Sequence, residues 1–212
     1  MPERRIRPSW TARYSLLNPP GAKRLAILLH GYQQEGAVVF QSLSDCFGEA
    51  TAVLAPDAPF PVFFGGKNGL RLGYTWYFFD PATDRYHLDM SQALDVLDEL
   101  VGALGFAEKP KLVVGYSQGG YLAPFLGERL SGVTQVVGIN CRFRSESLSE
   151  PLGFRLDGIH GARDQLVDPQ RAQRCHRELI ERGNRGAFHL LPECGHGVNE
   201  TVRQRLASIV GE

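Results

Sequence analysis

The sequence predicts an α/β fold in which a mostly parallel central sheet is covered by helices on both faces. Short apolar runs rich in Val, Ile and Leu alternate with longer segments of helical period, and each run is followed by a polar or glycine-containing loop. That alternation is typical of β–α–β units, which bury a parallel sheet between helices. The length of 212 residues and the hydrophobic fraction of 43% predict a single domain spanning residues 1–212.

Six apolar runs are candidate strands of this sheet. Residues 24–30 (RLAILLH) have the continuous apolar character of a strand that is covered on both faces. The other candidates are residues 51–55, 111–115, 133–139, 154–160 and 187–191. Only residues 140–153 separate two of them, and this connection is too short to hold an inserted helical domain, so we expect no large lid domain.

Four segments have the apolar period of a helix. In the first, Ser91 is the expected N-cap and Gly105 the expected C-terminal stop. Asp168 is the expected N-cap of the third helical segment, which begins at Pro169. The other three helices are expected at residues 121–130, 169–182 and 201–210. Residues 56–88 carry many aromatic residues, prolines and glycines without a clear period, so we expect a long, irregular, functional loop.

The charge balance indicates the kind of partner. Lys plus Arg and Asp plus Glu both number 23, so the chain has no net positive charge whose electrostatic field would attract nucleic acid or an anionic membrane. We therefore expect a small-molecule substrate, no nucleic acid and no stable membrane association, in a monomer or homodimer. Arg4, Arg5 and Arg7 are expected to form a solvated terminus without a function. No apolar region of the kind found in signal peptides follows directly, and no apolar stretch is long enough to span a bilayer, so we expect a cytoplasmic protein.

The four cysteines are widely scattered and form no C-x-x-C pair. This spacing argues against a zinc site and against a disulfide-stapled scaffold, and it predicts buried free thiols. The residues concerned are Cys46, Cys141, Cys175 and Cys194.

A candidate nucleophile follows the strand predicted at 111–115. Residues 115–119 read G-Y-S-Q-G, the G-x-S-x-G motif of the α/β-hydrolase fold, in the required position between a strand and a helix. The sharp turn should hold Ser117 in a strained conformation, with its hydroxyl above the sheet. Gly115 and Gly119 should remove side chains that would collide with neighbouring elements.

A serine hydroxyl needs a base to accept its proton, and that base needs an acid to orient it. His196 is the predicted base because it lies in a loop after the last strand, where side chains reach the carboxyl edge of the sheet. His189 lies inside that strand, and for His176 and His87 only a structural role is expected.

The acid should lie between the serine and the histidine in the chain order of this fold. Asp164 is the predicted acid because it follows the strand that ends at His160. Asp157 falls inside that strand. Asp168 remains an alternative, although its carboxylate is expected to be engaged as a helix cap.

Two backbone amides are candidates for an oxyanion hole. Gln118 N–H lies at the N-terminus of the helix after the nucleophile, and Tyr32 N–H lies in the loop after the first long strand. Gly31 allows close backbone approach, whereas His30 is expected to support the loop by hydrogen bonding.

These motifs together resemble the phospholipase/carboxylesterase family, which includes the acyl-protein thioesterases. The resemblance rests on residues 30–32 (H-G-Y), 115–120 (G-Y-S-Q-G-G), 160–164 (H-G-A-R-D) and 195–196 (G-H), in order and rough spacing from about residue 24 onward. It implies a lidless α/β hydrolase with a serine triad, two backbone oxyanion donors and no metal or organic cofactor.

The resemblance is looser in two segments that bear on substrate choice. Residues 76–80 (W-Y-F-F-D) look like a longer variant of a tryptophan–aromatic–aspartate segment that family members often carry. Gln33 and Gln34 replace a smaller, glycine-containing segment and are expected to narrow or hydrate the pocket.

The sequence therefore predicts a serine hydrolase that cleaves carboxylic esters, or thioesters, of short to medium acyl chain. Trp76, Tyr77 and Phe63 are the candidate substrate-binding residues, because aromatic side chains in the long loop could bury an acyl chain. A peptidase shares this machinery, but the short chain leaves no room for a large peptide-sorting domain. A non-catalytic binding module is the alternative from another functional class.

Overall fold

The computed structural model describes residues 11–66, 69–80, 82–83, 85–149 and 151–211. Arg4, Arg5 and Arg7, and with them the expectation of a solvated terminus, lie outside these ranges. The strands are Tyr14–Leu17 (β1), Arg24–Leu29 (β2), Thr51–Pro56 (β3), Phe60–Gly66 (β4), Gly69–Thr75 (β5), Phe78–Asp80 (β6), Arg85–Leu88 (β7), Lys111–Tyr116 (β8), Val133–Ile139 (β9), Arg155–Gly161 (β10) and Phe188–Leu191 (β11). The α-helices are Gly36–Leu43 (α1), Ser91–Ala103 (α2), Gln118–Arg129 (α3), Pro169–Glu181 (α4) and Glu200–Val210 (α5).

Seven strands form the main sheet in the order β1-β3-β2-β8-β9-β10-β11. The pair β1–β3 is antiparallel, and all the other neighbours are parallel. From β2 the chain moves outward to β3, and it later returns to place β8 on the opposite side of β2. The strand order therefore reverses between β2 and β8, the position at which open α/β sheets bind their ligands.

Alternate residues of β2 face two separate apolar cores. Ile27 packs in one core with Leu97 of α2 and Leu122 of α3, whereas Leu28 packs in the other with residues of α1 and α5. Helices therefore cover both faces of the sheet, which confirms the predicted fold class. Residues 140–149 and 151–154, between β9 and β10, contain no helix or strand, and no large lid is present there.

The expectation of an irregular loop over residues 56–88 is wrong. Strands β4 and β5 form one antiparallel hairpin, and β6 and β7 form a second, shorter one. In β5, the residues from Gly69 to Leu72 are exposed and those from Gly73 to Thr75 are buried. Burial in β5 thus changes along the strand instead of alternating from one residue to the next, and the prolines and glycines of this segment are typical of a loop.

Several element boundaries also differ from the sequence-based expectations. Strand β1 and helix α1 were not predicted, and α3 begins directly after the nucleophile instead of at residue 121. Ser91 is the first residue of α2 rather than its N-cap; its N–H donates to Asp89 Oδ1 over 2.9 Å. Gly105 follows α2 in a left-handed conformation, with φ +78°, which is consistent with the expected C-terminal stop. Asp168 caps α4 as expected, and its carboxylate accepts from Gln170 N.

All four cysteines are free thiols. Cys141, Cys175 and Cys194 are buried, as predicted, whereas Cys46 is partly exposed. In the described part of the chain, no helix is both long and apolar enough to cross a membrane.

Candidate active site

Ser117 occupies a strained turn between β8 and α3. Its φ of 50° and ψ of −116° lie outside the regions that L-amino acids normally adopt. Its N–H donates to Ile139 O at the end of β9, over 2.9 Å, which holds the turn against the sheet. Backbone strain of this kind persists only where the surroundings enforce it, and it is concentrated at functional sites.

Glycine is required on both sides of this turn. A Cβ atom on Gly115 would lie 2.2 Å from Gly119 O, and one on Gly119 would lie 2.3 Å from Leu29 O. Both distances are far below van der Waals contact with backbone atoms that cannot move aside. The two glycines of the G-x-S-x-G motif therefore allow α3 to begin directly against β8 and β2.

Three side chains from different loops form a continuous hydrogen-bonded series. Ser117 Oγ lies 3.0 Å from His196 Nε2, and His196 Nδ1 lies 2.8 Å from Asp164 Oδ2. With its Nδ1–H donating to Asp164, the neutral imidazole presents Nε2 as the acceptor for the Ser117 hydroxyl. Side chains that follow β8, β10 and β11 thus meet at the carboxyl edge of the sheet.

Asp164 is held as a carboxylate at this position. Its Oδ1 accepts hydrogen bonds from Leu166 N (2.9 Å) and Val167 N (3.0 Å), which leaves Oδ2 for His196. Burial raises the pKa of Asp164, but the two amides and His196 stabilise the charged form more strongly, so the pKa lies below its usual value.

The other candidate acids and bases lie elsewhere. Asp168 lines the same cavity as Ser117, but its carboxylate caps α4. Asp157 is buried within β10 and accepts from Ala187 N over 2.8 Å. His176 is buried on α4, where its Nε2 lies 2.9 Å from Leu156 O; His189 lies in β11 and His87 in β7.

His30 organises the loop that follows β2. Its Nδ1–H donates to Gly31 O (2.7 Å), and its Nε2 accepts from Ala58 N (2.9 Å), so both ring nitrogens are engaged only when the imidazole is neutral. Burial lowers the pKa of His30 to about 4. The carbonyl of His30 accepts from Trp76 Nε1 and from Gly119 N. This agrees with the expectation that His30 supports the loop.

The two predicted oxyanion donors line the cavity that contains Ser117. Within the described ranges, neither Tyr32 N–H nor Gln118 N–H has a hydrogen-bond acceptor in the protein, whereas the neighbouring Gly119 N–H is occupied by His30 O. Gln118 N–H also lies at the N-terminus of α3, where the helix dipole favours negative charge. Both amides are therefore available to an anionic oxygen beside Ser117.

The side chain of Gln118 connects the nucleophile turn to the segment between β5 and β6. Its Nε2 donates to Thr75 Oγ1 (2.8 Å) and to Tyr77 O (3.0 Å), while its Oε1 accepts from Trp76 N (3.1 Å). The aromatic segment is thereby fixed relative to Ser117. The motif indicated a role for the backbone of Gln118, but nothing in the sequence indicated these side-chain contacts.

Asn140 was also missed by the sequence analysis. It follows β9 in a left-handed conformation (φ 49°), and its side chain is fully buried. Its Oδ1 accepts from Gly161 N (2.9 Å), and its Nδ2 lies 3.3 Å from both Gly195 O and Gly197 O. One amide thus joins the start of the Asp164 loop to the two residues that flank His196. An asparagine directly after a strand was the available signal, but it does not reveal which loops meet there.

The cavity beside Ser117 has a volume of about 860 Å³. Of the predicted substrate-binding residues, only Tyr77 lines it. Trp76 is 0% exposed, and its indole is used to hold His30, so the structure places it beneath the site rather than in the cavity. Phe63 is 68% exposed on β4 and lies outside the lining. These two assignments were wrong because residue type alone does not reveal which aromatic side chains meet the cavity.

The expectation for Gln33 and Gln34 is also wrong, because neither residue lines the cavity. Gln34 Oε1 accepts from Gly31 N (2.9 Å), and the backbone of both glutamines pairs with Tyr74 of β5. The glutamines fix the loop that presents Tyr32. Tyr32 itself is 47% exposed at the cavity wall.

The sequence matches no protein-family model and no curated protein. Solved structures, in contrast, match nearly the whole chain. Esterase PE8 is 22% identical, with a TM-score of 0.73 over 94% of this chain and 98% of that chain. This is the α/β-hydrolase fold. An acyl-protein thioesterase 2 from Zea mays (18% identical, TM-score 0.74, 94% and 97% covered) and a carboxylesterase from Bacillus cereus (14%, 0.71, 94% and 93%) share this α/β-hydrolase architecture.

Proposed function

We propose that the protein is a serine hydrolase that cleaves carboxylic esters, and thioesters, through an acyl-enzyme. The observation that carries the proposal is the series from Ser117 Oγ through His196 to Asp164, with distances of 3.0 and 2.8 Å. The structural neighbours that are named as esterases and thioesterases are consistent with it. A protein that only binds a ligand would not need this hydrogen-bonded series next to the available N–H groups of Tyr32 and Gln118.

In the first half of the proposed reaction, His196 Nε2 takes the proton of Ser117 as Oγ attacks the ester carbonyl carbon. The carbonyl oxygen becomes an oxyanion, which receives hydrogen bonds from Tyr32 N–H and Gln118 N–H. Asp164 stays ionised and stabilises the imidazolium. The proton on Nε2 then passes to the departing alcohol or thiol, and the acyl group remains on Oγ.

In the second half, water replaces the alcohol. His196 Nε2 takes a proton from the water, the hydroxide attacks the acyl carbon, and the same two amides hold the second oxyanion. Collapse of that intermediate releases the carboxylic acid and returns the proton to Ser117 Oγ. No group other than water is consumed.

The proposed substrates have short to medium acyl chains. The aromatic wall of the cavity, which includes Tyr77, Phe79 and Tyr121, can bury methylene groups at about 0.8 kcal/mol each until the chain reaches the wall. Tyr77→Ala should therefore flatten the dependence of kcat/KM on acyl length in a series of p-nitrophenyl esters. Trp76→Ala should instead lower the free energy of unfolding by about 3–5 kcal/mol, because it empties a fully buried site.

Labelling by a fluorophosphonate probe tests the proposed nucleophile directly. The wild type should gain one covalent adduct at Ser117 and hydrolyse p-nitrophenyl butyrate. Ser117→Ala should lose the adduct and about 10⁶-fold in turnover. Ser208→Ala, an exposed serine on α5, is the matched control and should keep both. Turnover in Ser117→Ala within tenfold of the wild type would refute the proposal.

A further inference from the structure

Three arginines line the cavity that contains Ser117. Arg142 and Arg144 come from the segment after β9, and Arg171 comes from the first turn of α4. Asp168 is the one carboxylate among the cavity-lining residues that the structure describes. The chain as a whole has a formal net charge of zero, so this concentration of positive charge is local to the candidate active site.

Arg142 and Arg144 share one carboxylate. Arg142 donates to Glu146 through Nη1 and Nη2, at 3.0 and 3.1 Å, and Arg144 Nε lies 3.3 Å from Glu146 Oε1. Arg144 also lies 5.2 Å from the ring centroids of Phe79 and Tyr86 and donates to the Tyr86 hydroxyl. Both guanidiniums are therefore held rigidly, and one unit of positive charge is left uncompensated in the pair.

Arg171 is the more available cation. In the part of the chain that the structure describes, it has no carboxylate within 4 Å. The carboxylate of Asp168, three residues earlier, is directed at Gln170 N. A cation in the first turn of a helix is unfavourable because the helix dipole is positive there, and the same dipole attracts an anion. Arg171 is exposed and can reorient to meet a ligand at the cavity mouth.

We propose that the cavity selects esters that carry a second, anionic group, a carboxylate or a phosphate, and that Arg171 binds this group. The inference rests on the proposed esterase function and deepens it by naming the substrate class. Guanidinium binds both anions through paired N–H donors, and the preorganised charges of Arg142 and Arg144 strengthen the field that the anion meets. The aromatic side chains around Arg144 would contact the uncharged part of the substrate between the anion and the ester.

Matched substrates test this selectivity. 4-Acetoxybenzoate and 4-acetoxyphenyl phosphate carry the anion, and 4-acetoxybenzamide is the neutral counterpart. Each kcat/KM is divided by the rate of hydroxide-catalysed hydrolysis, which corrects for the leaving group. One or both anionic esters should be preferred over the amide by about tenfold, a typical contribution of a hydrogen bond to a charged group. The preferred anion identifies the group that the site takes, and equal ratios for all three esters would overturn the proposal.

Arg171→Gln and Arg174→Gln separate a specific contact from general electrostatics. Both remove one exposed positive charge from α4, but Arg174 does not line the cavity. The anionic preference should fall about tenfold in Arg171→Gln and persist in Arg174→Gln. An equal fall in both variants, or in neither, would contradict a binding role for Arg171.

Binding to the Ser117→Ala variant distinguishes a failure of this proposal from a failure of the esterase function. An NMR titration of that variant with 4-acetoxybenzoate measures affinity without turnover. Adding Arg171→Gln should weaken binding about tenfold, whereas adding Arg174→Gln should not. If the wild type showed no esterase activity but the variants bound in this way, the anion site would stand and the proposed reaction would be refuted. Unchanged affinity in the Arg171→Gln background would refute the anion site whatever the activity.

Discussion

His160 Nε2 lies 3.2 Å from Asp164 Oδ2, the same oxygen that accepts the hydrogen bond from His196. The His160 ring is 1% exposed, and its Nε2 also lies 3.1 Å from Val167 O. Because a carbonyl can only accept, Nε2 carries the proton and donates it to Val167 O. Burial lowers the pKa of His160, so the ring stays neutral. His160 thus holds Val167, whose N–H donates to Asp164 Oδ1, and so helps to position the predicted triad acid.

Removing this donor should slow turnover without changing substrate binding. His160→Phe keeps a ring of similar size but cannot donate to Val167 O, which loosens the loop that holds Asp164, and we expect kcat to fall by about 10- to 100-fold with KM nearly unchanged. His160→Gln places an amide N–H near the same position and should recover part of the loss. Steady-state kinetics and circular dichroism of both variants check this. A parallel rise in KM, or no rescue by Gln, would indicate a general packing defect.

The two candidate acids should respond differently to the same substitution. Asp164→Asn should lower turnover by about 10⁴-fold, because an amide cannot hold His196 in the tautomer that accepts a proton. Asp168→Asn should show no loss of that size, and α4 should keep its stability, because asparagine caps a helix nearly as well as aspartate. Turnover and thermal unfolding of the pair are the measurements. The reverse order of losses would make Asp168 the acid.

Asn140 should control both stability and activity. Asn140→Asp keeps the acceptor for Gly161 N but replaces the donor to Gly195 O and Gly197 O with a buried charge. We expect the free energy of unfolding to fall by about 1–3 kcal/mol or more, and kcat to fall because the His196 loop loses its anchor. Asn199→Asp is the matched control, since aspartate keeps the acceptor that caps α5. Urea unfolding and steady-state kinetics should therefore show a loss of stability and of kcat in Asn140→Asp but not in Asn199→Asp.

His30 should make the protein less stable in mild acid. Its pKa is about 4 in the folded protein and 6.5 in the unfolded chain, so between these values the unfolded state binds more protons. The stabilisation is complete above pH 6.5, is lost progressively as the pH falls, and is gone below pH 4; it amounts to about 3 kcal/mol. Burial also lowers the pKa of His160 and His176, which adds to the trend.

Urea unfolding at pH values from 8 to 4 measures this dependence. His30→Gln should be less stable at neutral pH and should lose less stability on acidification. His87→Gln, at an exposed position on β7, should follow the wild-type curve. A wild-type free energy of unfolding that is constant between pH 6.5 and 4.5 would contradict the assigned role of His30.

Local sequence was enough to predict the strands that present the candidate site. Continuous apolar runs mark β2 and β8 as buried parallel strands, because both faces of a parallel sheet are covered. The turn at Ser117 could be predicted because the required glycines adjoin it, and the constraint acts within a few residues. His196 and Asp164 followed from their positions after strands, since the carboxyl ends of parallel strands share one edge of the sheet.

Tertiary structure alone decided which side chains meet at that edge. Trp76 and Tyr77 are neighbours in sequence, yet one lies beneath His30 and the other lines the cavity, because the side chains of successive residues point in different directions from the backbone. Arg142 and Arg144 follow β9, whereas Arg171 follows β10, and nothing in the sequence spacing indicates that Arg171 lines the same cavity as the other two. Their proximity depends on the strand order and on the paths of the connecting loops, which long-range packing sets and local residue patterns do not encode.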